Sequence, residues 1–231
     1  MPKDSRQINK RKKWGRQELL IAFGLYCQMP FGKMHSRNPD IIEVAENIGR
    51  TPSALAMKLT NIASLDPDII STGRKGLSGA SHTDKEMWKE MHSNWEGFAL
   101  ESSEALKQVQ TDKPEPLPET EDYEGCTKAT VVQTRVGQAF FRKSVLSAYN
   151  NTCCITGLSI PKLLVASHIV PWRIDSLNRL NPSNGLCLSM LHDKAFDIGI
   201  ISVQDDMTIM ISKTITSLDS FCRNAITNYE G

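Results

Sequence analysis

Apolar residues recur at helical spacing through the first hundred positions. Trp14, Leu19, Leu20, Phe23, Tyr26 and Cys27 form one stripe. Asn38-Pro39 then opens a second helix, with Ile41, Ile42, Val44, Ala45 and Ile48 apolar and Gly49 as its stop. Thr51-Pro52 repeats that signal, a capping side chain followed by a proline with no amide to waste. It predicts a third helix from Ser53 to Ala63, carried by Leu55, Met57, Leu59 and Ile62. A further helix is predicted from Asp84 to Phe98, where Met87, Trp88, Met91 and Trp95 read as a core stripe. The short connection Gly49-Arg50-Thr51 between two helices is a helix-turn-helix pattern.

Beyond residue 128 the pattern mixes. Arg135–Tyr149 is helical, with Val136, Ala139, Phe140, Val145 and Leu146 apolar. Thr152–Thr156 and Leu163–Ile169 read as strands. A polar loop, Arg173–Ser183, leads to Asn184-Gly185-Leu186-Cys187-Leu188 and then a short helical stretch holding His192, Asp193, Phe196 and Asp197. Ile200–Val203 and Met207–Ile211 flank Asp205-Asp206 as a hairpin. The expected class is α+β, with a helical, helix-turn-helix-like domain first and a mixed domain second.

Charge sharpens this division. The whole chain of 231 residues carries 27 Lys+Arg against 26 Asp+Glu, a net of +1. That balance conceals a sorting. Residues 1–16 carry +6, residues 112–124 carry −5, and residues 128–231 carry +3. The acidic stretch also holds Pro114, Pro116 and Pro118 and almost nothing apolar, so it cannot offset the entropy of ordering. The expected organisation is therefore a basic arm with a helical DNA-binding domain over 1–110, a linker over 111–127, and a second domain over 128–231. No apolar run approaches the ~18 residues that a membrane helix needs, so no membrane partner is expected. Six cysteines without a C-x-x-C pair argue against a structural zinc and for a reducing, cytoplasmic setting.

The basic arm has two readings, a solvated, frayed terminus or a segment that tracks DNA phosphates, and double-stranded DNA is the expected partner. Lys10, Arg11, Lys12 and Lys13 have the charge to track phosphates. In a helix-turn-helix unit the second helix enters the major groove by its N-terminal residues. Arg50, Thr51, Ser53 and Lys58 are the candidates here, and Arg173 and Arg179 are candidate phosphate contacts in the second domain.

The second domain carries the candidate chemistry in His168, Asn184 and His192. A neutral imidazole accepts a proton from water near neutral pH. A second imidazole on a helix can bind a divalent metal, which polarises a phosphate and stabilises a leaving oxygen. An asparagine amide, both donor and acceptor, can fix a loop without adding charge.

The order and spacing of Gln138, Phe141-Arg142, Cys154-Ile155-Thr156-Gly157, Ser167-His168-Ile169-Val170-Pro171-Trp172, Asn181-Pro182-Ser183-Asn184-Gly185-Leu186 and His192 through Phe196-Asp197-Ile198-Gly199 resemble the HNH endonuclease superfamily. Within it, the segment is similar to the branch common in bacterial restriction-type nucleases. The resemblance covers the second domain only and implies a ββα-metal HNH nuclease fold. It implies His168 as general base, Asn184 as the loop-holding asparagine and His192 as a metal ligand, with Asp197 as a further ligand or the partner of an imidazole. Many members place a carboxylate or histidine before the base, where this chain has Ser167, a poor magnesium ligand. The implied activity is hydrolysis of duplex DNA with a divalent metal, Mg²⁺ or Mn²⁺, in restriction or defence, with a homodimer to cut two strands. The competing reading is a DNA-binding regulator with an inactive HNH domain.

Overall fold

The computed structural model describes residues 13–110, 128–213 and 220–231. Lys10, Arg11 and Lys12 of the arm, and the acidic stretch 111–127, lie outside the described residues.

Among the described residues, six α-helices form the N-terminal unit: α1 (Arg16–Cys27), α2 (Pro39–Asn47), α3 (Pro52–Ala63), α4 (Pro67–Ser71), α5 (His82–Ser93) and α6 (Trp95–Lys107). The capping chemistry sets their starts. Asn38 accepts from the Asp40 amide and Thr51 from the Ala54 amide, each with proline next in the chain. The predicted helix from Asp84 to Phe98 is two helices. The chain turns at Asn94 (φ −152°, ψ 78°), whose side chain caps α6 by accepting from the Gly97 amide. Apolar periodicity continues across this break, so periodicity alone did not reveal it. Phe23, Ile41, Leu55, Leu59, Ile62 and Met91 are fully buried, whereas Met57 is exposed. At Gly24 a β-carbon would come within 3.0 Å of Leu106 and Ser102 on α6. The missing side chain lets α1 and α6 pack closely.

The second unit begins with α7 (Lys128–Ala148), which packs on α1 and α6. Phe98 of α6 meets Phe140 edge-on at 6.2 Å. The segment Thr152–Thr156, expected as a strand, is a turn. The Cys153 amide donates to the Leu158 carbonyl, and the Cys153 sulfur receives the amides of Thr156 and Ser189. β1 (Leu164–His168) and β2 (Gly185–Ser189) pair antiparallel, with His168 opposite Gly185. They lead into α8 (Met190–Asp197). β3 (Ile201–Val203) and β4 (Ile209–Ile211) form the expected hairpin, and α9 (Ser220–Ala225) follows. The architecture is α+β: a helical N-terminal unit, then two strands packed on α7 and a helix, α8, packed on those strands. Among the described residues no helix is long and apolar enough to cross a membrane.

Candidate active site

The site is built on the hairpin of β1 and β2 and on the long loop that joins them. Asn184, buried immediately before β2, fastens that loop. Its side-chain oxygen accepts from the Val170 amide at 2.8 Å, and its amide donates to the Val170 carbonyl at 3.1 Å. The Ile169 amide donates to the Asn184 carbonyl at 2.9 Å, so both ends of the loop are clamped by one residue. An amide suits this position because it satisfies a donor and an acceptor together.

His168 ends β1. Its Nε2 lies 2.9 Å from the Arg179 carbonyl, and its ring stacks on Phe141 at 4.0 Å with an interplanar angle of 7°. The edge of Trp172 closes another side at 5.5 Å. A carbonyl can only accept, so Nε2 carries the hydrogen and Nδ1 carries the basic lone pair of the neutral ring. Orientation and tautomer are thus set before substrate arrives.

Gly185 makes this stacking possible. A β-carbon there would lie 2.4 Å from Val145 and 2.8 Å from the Phe141 ring. Gly185→Ala is expected to push Phe141 off the imidazole and destabilise the fold by about 1–3 kcal/mol, as overpacked cores do. A denaturant midpoint that does not move would contradict that contact.

His192, on α8, is 2% exposed. Its Nδ1 pairs with the Ser189 hydroxyl at 2.8 Å. Its Nε2 is buried without a properly aligned hydrogen bond, although the nearby Ala225 backbone favours the protonated ring. Burial dominates and lowers the basicity of the imidazole. Tyr229, close to the C-terminus, meets the His192 ring edge-on at 5.5 Å. Asp193, next on α8, is half-buried, and its carboxyl is raised by burial against the opposing effect of the Ser167 hydroxyl. That hydroxyl is buried and completes no hydrogen bond of ordinary geometry.

The implied metal fits this site only in part. The orphaned Nε2 of His192 is a donor atom suited to a divalent cation. Asp197, expected as its companion, is exposed at the end of α8. It lies five residues on, or about 140° round a helix, from His192. Asp193 is the carboxylate the structure places beside the Ser167 end of β1, and sequence reasoning passed over it. Among the described residues, no group of three or more His, Cys, Asp or Glu side chains gathers to hold a metal.

Several expected DNA contacts are corrected. Arg50 is buried, not exposed. It bonds Glu18 through Nε at 3.0 Å and Nη2 at 2.9 Å, donates to the Lys13 carbonyl and lies over Trp14. Lys58 is buried and reaches both carboxylate oxygens of Asp84 at 2.7 and 2.9 Å. Both cations are spent inside the helical unit. The Thr51 hydroxyl is engaged as a cap. Arg179 is turned to Glu96, at 2.5 Å, and lies over Trp172 at 5.1 Å. Lys13, Ser53 and Arg173 are exposed.

The arrangement can hold a neutral imidazole in one tautomer beside a loop that substrate can reach. No curated protein matches the chain. Residues 153–204, which contain His168, Asn184 and His192, match the HNH_2 family, HNH endonuclease. Over that segment, which carries the candidate site, the chain is accordingly similar to the HNH endonucleases.

Proposed function

We propose that the protein is an endodeoxyribonuclease that hydrolyses phosphodiester bonds in duplex DNA with a divalent cation, Mg²⁺ or Mn²⁺, in cytoplasmic restriction or defence. The observation that carries this reading is the fixed ring of His168, with Nε2 on the Arg179 carbonyl, inside the segment matched to the HNH family. Nδ1 takes a proton from a water molecule, the water oxygen forms a new bond to phosphorus, and the bond to the leaving sugar oxygen breaks. That oxygen takes its proton from solvent. Nε2 of His192 is the donor atom suited to hold a divalent cation, which when bound would supply positive charge to the phosphate.

Asn184 keeps the loop, and through it the Arg179 carbonyl, in register with the base. DNA is held by phosphate contacts from exposed cations, among them Lys13 and Arg173, with the charge of Lys10, Arg11 and Lys12 adding to them. Two copies supply the two cuts of a duplex break.

The second reading, a DNA-binding regulator with an inactive HNH domain, is favoured by two features. Ser167 stands where many family members carry a metal ligand, and the His192 ring is met edge-on by Tyr229. Supercoiled plasmid incubated with the protein and Mg²⁺ or Mn²⁺ distinguishes the two. Nicking that a chelator abolishes is expected, and sequencing the product ends then gives specificity and stagger. DNA that is bound but uncut with every divalent metal supports the regulator.

A further inference from the structure

The structure assigns to Glu96, on the N-terminal helical unit, the role of a positioning residue for the imidazole of His168. This rests on the nuclease reading above for its kinetic consequence, although the geometry stands without it.

Arg179 makes two kinds of contact from one residue. Its backbone carbonyl accepts from His168 Nε2 at 2.9 Å, and its guanidinium donates to the Glu96 carboxylate at 2.5 Å. The guanidinium also lies over Trp172, whose ring meets His168 edge-on. Two of the three surfaces that orient the imidazole, the carbonyl and the indole, are therefore tied to Arg179, and the third is the Phe141 ring.

Glu96 is well placed to anchor that side chain. It sits in the first turn of α6, where a carboxylate is favoured by the exposed amides of the helix end. Asn94 caps that turn. Two residues on, Phe98 packs against Phe140 of α7, and α6 is seated closely on α1 at Gly24. The loop itself has local support, since the Asp175 carboxylate accepts the amides of Leu177 and Asn178. The ion pair with Glu96 spans 83 positions in the sequence and joins the loop to the other unit. The helical unit thereby contributes to the setting of the base without touching substrate.

The test uses the full chain. Glu96→Gln keeps the size of the side chain and removes its charge. Imidazole nitrogen NMR of the wild type is expected to show His168 as the single Nε2–H tautomer, and the variant is expected to show tautomer exchange. Single-turnover nicking by the variant should fall on the order of tenfold in kcat, with KM unchanged, because the base is misplaced rather than removed. Thermal stability should barely move, since a partly exposed ion pair contributes little to it. The exchanged pair, Glu96→Arg with Arg179→Glu, should recover the tautomer and much of the rate.

Wild-type His168 signals in Glu96→Gln would overturn the proposal. So would a rise in KM at unchanged kcat. A wild-type protein that never cuts DNA would instead sink the nuclease reading, and the His168 signals would still decide the role of Glu96.

Discussion

Replacing His168 with alanine is expected to slow DNA cleavage by about 10²–10⁴-fold, the range that a positioned general base contributes. The fold should survive. The imidazole is half-exposed, and losing its stack on Phe141 costs about 0.5–1.5 kcal/mol, well under the stability of an ordinary domain. A pH profile gives a second signature. Only the neutral ring accepts a proton, so the logarithm of the wild-type rate should climb with unit slope at low pH and level off as the imidazole loses its charge. The variant should lack that limb. A variant with the wild-type limb would place the base elsewhere.

The second large effect concerns stability. Asp84 is fully buried and accepts Lys58 Nζ on both oxygens, as well as the Ser81 amide at 2.8 Å. Asp84→Ala leaves an ammonium group buried with no counter-charge and is expected to destabilise the chain by about 3–5 kcal/mol. The additional change Lys58→Met removes that stranded charge and should restore most of the loss, because a buried pair replaced by apolar groups is often neutral. Urea unfolding of the single and double variants measures both. Asp84→Ala within about 0.5 kcal/mol of wild type, the range of an ordinary surface change, would mean the pair is solvated in solution.

These ion pairs also mark where sequence reading stops. The helix starts at Asn38-Pro39 and Thr51-Pro52 were legible because a cap and a first-turn proline act within four residues. The acidic hairpin of β3 and β4 was legible for the same local reason. The order of His168, Asn184 and His192 was legible because it is a linear pattern, and it is the pattern inside the family match.

The partners of Arg50, Lys58 and Arg179 were not legible. Glu18, Asp84 and Glu96 lie 32, 26 and 83 positions away, and only the packing of helices brings them together. Read along the chain, those cations looked like a DNA-facing surface. The turn at Cys153 was missed because β-branched neighbours suggest a strand. Hydrogen bonds to the sulfur outweigh burial and hold the thiol below its usual range; those from Thr156 close the turn locally, and the one from Ser189 reaches across 36 positions. Asp193 was not singled out because spacing along the sequence does not say which turn of α8 faces β1.

The central claim is that His168, held on the Arg179 carbonyl, activates water for phosphodiester hydrolysis. Single-turnover nicking of one supercoiled plasmid by the wild type and by His168→Ala, side by side in Mg²⁺ or Mn²⁺ at equal DNA occupancy, tests it most directly. The expected result is nicking by the wild type and a rate at least about 100-fold lower in a variant that still binds. Equal rates for the two proteins would contradict it.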